Sequence, residues 1–197
     1  MNVLIAYNVL SSALDRFLQV QEIQKQLWPA ASQYDRMVVS DVPLRVGGSF
    51  GISTIGFQNV LCDRFGQDGA VNVCAARNVG LAYGLEHGYD YVLLLDVDLV
   101  LLSEPINIGP AFSCSWNYHS VESEVRSNTF DLDAKTPRGE WNGGGLFYVP
   151  KEAIAAGVRW DEGFSGHYWE DFDFFHALVA SGFEGAPFTP RTMHVWH

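Results

Sequence analysis

Two short acidic motifs and a histidine-bearing end hold the residues of this sequence that are equipped for chemistry. Asp96-Val97-Asp98 follows the apolar run YVLLL and precedes LVLL, so two carboxylates stand in an otherwise buried neighbourhood, where leaving them unpaired is costly. Residues two apart on an extended chain point to the same side, and the pair can share one cation or serve one ligand provided the strand bends where it ends. A hard divalent ion such as Mg²⁺ or Mn²⁺ suits such oxygen donors and bridges them to a diphosphate. The bland alternative is a pair of strand-end aspartates capping a turn. The second motif, Glu170-Asp171-Phe172-Asp173, opens an expected helix, where the macrodipole alone favours acids. Its flank asks for more: His167, Tyr168 and Trp169 directly precede it, and large aromatic faces beside a carboxylate suit a sugar ring stacked next to a general base. The dipole leaves such a base ionised but weak, so its strength has to come from apolar surroundings. In the terminal MHVWH, either His194 or His197 is placed to complete a cation site begun by Asp98.

The elements that must position these groups alternate in type. NVLIAY reads as a buried strand, Ser11 or Ser12 as the cap of a helix carrying Leu14, Phe17, Val20, Ile23 and Leu27 up to Pro29, and MVVSD as the next strand. Residues 42–70 are Gly-rich without clear period, and no element is assigned there. Val71, Cys74, Ala75, Asn78, Leu81, Ala82 and Leu85 then share one face of a helix that Gly88 ends. YVLLL follows as a central strand. Strands alternating with helices predict a doubly wound α/β domain, an open and mostly parallel sheet flanked by helices, whose ligands bind beyond the carboxyl ends of the strands. Asp96 and Asp98 stand there. Residues 113–140 read as a lid or an acceptor-binding loop. GGGLFYVP then reads as a strand, KEAIAAG as a short helix ended by Gly157, and EDFDFFHALVASG as an amphipathic helix ended by Gly182.

Composition narrows the function classes. With 197 residues, 48% of them hydrophobic and 14% aromatic, the chain has material for one buried core and no sign of a second domain. Twelve basic against 23 acidic residues give a net charge of −11, which excludes nonspecific binding to nucleic acid. The longest apolar run is far short of the ~20 residues of a bilayer span and is broken by Asp96 and Asp98, so no transmembrane segment is expected. Met1 leads straight into a core strand without a basic region or a cleavage site, which predicts a cytoplasmic chain. Cys62, Cys74 and Cys114 are odd in number and widely spaced, as reduced thiols are.

The segment RNVGLAYGLEHGYDYVLLLDVDLVLL resembles the helix-strand-DxD portion of glycosyltransferases of the GT-A fold, and WNGGGLFYVPKEAIAAGVRWDEGFSGHYWEDFDFFHALVASGF resembles their acceptor side. The second match is the more specific. Its order is that of the broad family 2 enzymes, the β-1,4-galactosyltransferases and the polypeptide N-acetylgalactosaminyltransferases: a Gly-rich strand, a short helix, an aromatic and Glu-Asp, then a helix and a late histidine. The resemblance implies one GT-A domain over 1–197, with a nucleotide-sugar half in 1–100 and an acceptor-side half in 101–197. It implies that Ala6, Tyr7 and Asp41 hold the nucleotide base, that Arg77 and Gly144 lie along the nucleotide sugar, that Asp96 contacts the ribose and Asp98 the metal, Mn²⁺ or Mg²⁺. Asp171 would deprotonate the acceptor hydroxyl in an inverting displacement, Glu170 would hold a sugar, and His167, Tyr168 and Trp169 would bind the acceptor. Both His194 and His197 match metal histidines of different branches, and the choice stays open.

The resulting expectation is a metal-dependent transferase moving a sugar from a nucleotide-diphosphate sugar, a uridine diphosphate sugar by family frequency, to a hydroxyl of a glycan, protein or small molecule. A sugar nucleotidyltransferase would need a Gly-rich, basic phosphate-gripping loop after the first strand, and AYNVLSS supplies none. A catalytically silent sugar-binding module would have no use for the acidic motifs and a late histidine together.

Overall fold

The hydrophobic runs of the sequence form the strands of two sheets. In the computed structural model, which describes residues 1–45, 56–66, 71–104, 112–114 (backbone), 118–135, 145–164, 169–183 and 192–196, the strands are β1 (Val3–Asn8), β2 (Asp35–Ser40), β3 (Gln58–Leu61), β4 (Tyr91–Leu95), β5 (Leu99–Leu101), β6 (Phe112–Cys114), β7 (Tyr118–His119), β8 (Leu146–Pro150) and β9 (Thr192–His194). The helices are α1 (Leu14–Leu27), α2 (Val73–Glu86), α3 (Glu122–Ser127), α4 (Lys151–Ala155) and α5 (Glu170–Ala180). The main sheet runs β3-β2-β1-β4-β8-β6. Its first four strands are mutually parallel, and β8 pairs antiparallel with both β4 and β6. This is the expected mostly parallel α/β sheet. An antiparallel strand, β8, has entered it next to β4.

Side chains of β1 alternate between two cores, as a strand buried on both faces requires. Leu4 and Ala6 pack with Cys74, Ala75 and Leu81 of α2 and with Phe174 and Leu178 of α5; Ile5 and Tyr7 pack with Phe17 of α1 on the other face. The second sheet, β5-β9-β7, is small. Its edge is held by Gln24 of α1, whose carboxamide exchanges two hydrogen bonds of 2.7 Å with the backbone of Leu101.

Some readings change, and residues 113–140, read as a lid or loop, carry β7 and α3. Neither Ser11 nor Ser12 caps α1, which follows a 3₁₀ turn over Ser11–Ala13 without a side-chain cap; Ser11 is bound to Asp41 instead. A strand, β3, occupies part of the stretch without period, pairing with β2 at the sheet edge, where burial is partial and leaves no hydrophobic rhythm. The buried face of α2 is rotated from the expected one: Ala82 and Leu85 are exposed, and Arg77, Gly80 and Gly84 face inward. Gly80 and Gly84 let the helix lie close on the sheet; a Cβ at Gly84 would run into Val92 Cγ2.

Candidate active site

Asp96 and Asp98 stand where β4 ends and the chain turns into β5. The turn is fixed by the backbone: Asp96 N–H donates to the Gly145 carbonyl at 2.9 Å, Leu99 N–H to the Asp96 carbonyl at 3.1 Å, and Val195 N–H to the Asp98 carbonyl at 2.8 Å. Gly145 has φ +88°, and a Cβ there would sit 3.1 Å from Leu99 and 3.4 Å from the Asp96 carboxylate, so glycine suits this close approach. Because the chain turns, the two carboxylates part company. Asp96 Oδ1 accepts from Arg77 Nη2 at 3.1 Å, while Asp98 Oδ2 lies 3.1 Å from His194 Nε2.

Arg77 gathers the first cluster. It projects inward from α2, whose start is capped by Asn72 Oδ1 accepting from Ala75 N–H at 2.9 Å. Its guanidinium is buried against the rings of Phe147 and Trp160, 5.2 and 5.3 Å from their centroids, and Trp160 is itself stacked on Phe174. While Nη2 binds Asp96, Nη1 donates to Asp171 Oδ1. Burial pulls the Arg77 pKa down, but Asp96 and Asp171 outweigh it and hold the group above its ordinary value. Asp171 is also raised. Burial is the main cause, with Asp96 and Glu170 adding to it against the opposing charge of Arg77. The apolar surroundings thus supply the basicity that a helix start by itself would remove. One turn before Arg77, burial pushes the Cys74 thiol up to about 11, which makes it an inert neighbour.

Glu170, next in the same turn of α5, is buried, and its Oε2 has no hydrogen-bond partner among the described residues. Asn8, which the sequence reading passed over, is in the same position: it is 6% exposed, and both Oδ1 and Nδ2 lack a partner among the described residues. Asn8 follows Tyr7 as Asp96 follows Leu95, and Tyr7 and Leu95 are register partners, so this carboxamide lies beside the cluster at the carboxyl ends of the central strands. Buried polar groups of this kind are ordinarily satisfied, and orphans at a strand end mark where a polar ligand or water belongs.

The second cluster is built by the small sheet. His194 is the register partner of Leu99 across β5 and β9 and of His119 across β7 and β9. The His119 ring lies 4.6 Å from that of His194; no local pattern in the sequence announces it, because the contact exists only through strand pairing. Arg16 of α1 donates to the carbonyls of Val195 and Trp196 at 2.5 and 2.9 Å, and Ser120 Oγ accepts from Trp196 N–H at 2.7 Å. Among the described residues no group of three or more His, Cys, Asp and Glu side chains converges as a metal cluster. Asp98 and His194 do fit as a two-ligand half-site: one carboxylate oxygen and one imidazole nitrogen, partly buried and 3.1 Å apart, suit a divalent ion such as Mn²⁺.

Trp169 caps α5 from a left-handed conformation, φ +73°, with 71% of its surface exposed and its ring 5.6 Å from that of Phe172. The side chains of Ala6 and Tyr7 belong to the core, Tyr7 against Phe17 and Phe57 with its hydroxyl pKa pushed up to about 12 by burial. Asp41 accepts from Ser11 N–H at 2.7 Å and Ser11 Oγ at 2.9 Å, which fixes the exit from β1. Gly144, His167, Tyr168 and His197 lie outside the described residues. No described helix is long and apolar enough to cross a membrane.

No protein-family model matches the sequence, and no curated protein matches it either. Solved structures do match. The chain aligns over 100% of its length with 43% of GalNAc-T7 solved with UDP, GalNAc and Mn²⁺, at a TM-score of 0.62 and 11% identity. It aligns over 100% with 59% of S. aureus TarS 1-349 in complex with UDP-GlcNAc, at 0.59 and 9%. Against the catalytic domain of Drosophila β1,4-galactosyltransferase 7 in complex with xylobiose it aligns over 99%, covering 65% of that chain, at 0.57 and 15%. The chain therefore spans less than two thirds of the structures it resembles. At such identities the likeness is one of architecture, and the architecture shared is the GT-A fold of nucleotide-sugar glycosyltransferases.

Proposed function

We propose that this chain is a metal-dependent glycosyltransferase that moves a sugar from a nucleotide-diphosphate sugar to a hydroxyl acceptor with inversion, Asp171 acting as base. The observation that carries this reading is the joining of Asp171 and Asp96 by the buried guanidinium of Arg77, with the Asp171 carboxyl raised above its ordinary range and the orphaned Glu170 beside it. In the displacement the acceptor oxygen attacks C1, the bond from C1 to the phosphate oxygen breaks with its electron pair leaving on the diphosphate, and the acceptor proton goes to the free oxygen of Asp171. Glu170 Oε2 accepts from a sugar hydroxyl, which satisfies the buried oxygen. Trp169 and Phe172 offer a sugar face a stacking surface at the mouth of the site. Asp98 and His194 hold Mn²⁺ or Mg²⁺, whose chemistry when bound is to neutralise the departing diphosphate. GalNAc-T7 was solved with UDP and Mn²⁺ and TarS with UDP-GlcNAc, which favours a uridine diphosphate sugar here. The donor lies over the carboxyl ends of β1 and β4, where the carboxamide of Asn8 is free to pair with it.

The test is a screen of nucleotide sugars for thermal stabilisation with and without Mn²⁺. A ligand at 100 times its Kd stabilises the native state by about 2.7 kcal/mol, and a rise in Tm with one class of uridine donor that needs the metal is expected. A chain whose Tm responds to no nucleoside diphosphate, with either metal, is not a glycosyltransferase of this kind.

A further inference from the structure

Arg77 was expected along the nucleotide sugar, yet its guanidinium is 4% exposed and both terminal nitrogens are engaged, Nη1 with Asp171 and Nη2 with Asp96. The planes of Phe147 and Trp160 hold it in place. Its two carboxylates come from distant parts of the chain, one leaving β4 on the donor side and the other on the first turn of α5 on the acceptor side. A planar fork of fixed geometry is the group that can set the spacing of two carboxylates. We infer that Arg77 is a positioning residue, which fixes the carboxylate of Asp171 relative to Asp96 and so aims the base at an acceptor seated against the donor. The inference rests on Asp171 being the base.

One physical consequence separates this role from nucleotide binding and from simple core packing. Among the described residues the titratable groups facing Asp171 are Arg77 and Cys74 from α2, Asp96 beyond β4 and Glu170 on α5. Arg77 alone among them pulls the Asp171 carboxyl down. Without it, burial and the two acids act unopposed, and the carboxyl titrates at higher pH than in the parent.

The experiment uses Arg77→Met, which fills the space without the charge, and Arg77→Lys, which keeps a charge that cannot span both carboxylates in one plane. The Asp171 carboxyl is followed by ¹³C NMR on the chain with no donor present, so the readout needs no knowledge of the substrate. Expected is an upward move of the titration midpoint in Arg77→Met and a smaller one in Arg77→Lys, with Mn²⁺-dependent UDP binding unchanged within about threefold. Should Arg77→Met fail to fold, Arg77→Lys is combined with Asp171→Asn. In a double-mutant cycle, residues acting as one unit are non-additive, so Arg77→Lys should slow transfer in the parent and change nothing further in the Asp171→Asn background. A lost affinity for UDP with an unmoved Asp171 titration would make Arg77 a nucleotide ligand and overturn the inference, as would an additive cycle. Full transfer by Asp171→Asn with a moved titration would instead remove the base and leave the ion pair standing.

Discussion

His194 Nε2 lies 3.1 Å from Asp98 Oδ2 because β5 and β9 pair antiparallel with Leu99 opposite His194, which sets Asp98, just before Leu99, against Val195, just after His194. Val195 N–H is bound to the Asp98 carbonyl, and Arg16 and Ser120 hold the chain that follows. The imidazole is therefore delivered by a clamped strand. Loss of a group that only orients a metal ligand typically costs ~10–100-fold in affinity, so Asp98→Asn and His194→Ala should each weaken Mn²⁺ binding by at least that, seen by electron paramagnetic resonance of the free ion. Retained affinity in both variants would show that the pair is an ordinary ion pair closing the small sheet.

Asp171 and Glu170 are neighbours with different surroundings, and their variants should differ accordingly. Asp171→Asn removes the proposed base while keeping the shape, and transfer at saturating substrates should fall by ~10²–10⁴-fold with donor affinity nearly intact. Glu170→Gln should mainly raise KM. Since burial holds Asp171 above the ordinary carboxylate value of 3.8, its basic form is lost on acidification sooner than that of an exposed aspartate. The acid limb of the pH profile of kcat should accordingly lie above that value. A profile flat down to the ordinary aspartate range would place the proton elsewhere.

Trp169 carries its ring at the expense of backbone conformation. A left-handed residue that is not glycine costs roughly 1–2 kcal/mol, and at φ +73° Trp169 meets that cost while leaving a 71%-exposed ring toward solvent, where it is available to a ligand. Trp169→Gly and Trp169→Ala should both raise the acceptor KM. Only the glycine variant relieves the backbone, so it should melt higher than the alanine variant. Equal Tm values and an unchanged acceptor KM would remove Trp169 from the site.

Much of this arrangement is legible in the sequence, and the limits follow from range. YVLLL before Asp96 and the aromatic-acidic start of α5 are local patterns, and each landed in its expected element. The partition of the acidic pair, Asp96 to Arg77 and Asp98 to His194, is set by the turn between β4 and β5 and by strand pairing with β9, neither of which has a local signature. Asn8 reads as the last residue of a strand until the register with β4 places it beside Asp96. The contact of Asp41 with Ser11, thirty residues earlier in the chain, likewise has no local signature. The face of α2 differs for a simpler reason: hydrophobicity finds Ala82 and Leu85 and is blind to Gly80 and Gly84, which face the sheet because they are small.

That last point is open to a direct measurement. Alanine is the better helix former by ~1 kcal/mol, so at an open position of α2 a glycine-to-alanine change would stabilise. At Gly84 the new Cβ meets Val92 Cγ2, and at Gly80 it comes within 3.2 Å of Leu94 Cδ2, the tip of a side chain with more freedom to give. Overpacking of a filled core costs typically ~1–3 kcal/mol, and for a domain of this size each kcal/mol moves Tm by roughly 2–4 °C. Gly84→Ala should therefore lower Tm, and Gly80→Ala should lower it less. Since Arg77 sits on the same inward face two turns earlier, lifting α2 from the sheet also shifts the fork that joins Asp96 to Asp171, and transfer by Gly84→Ala should fall while Mn²⁺ binding at Asp98 and His194 is kept. A Gly84→Ala chain that melts at or above the parent would mean that α2 does not lie on the sheet at this distance.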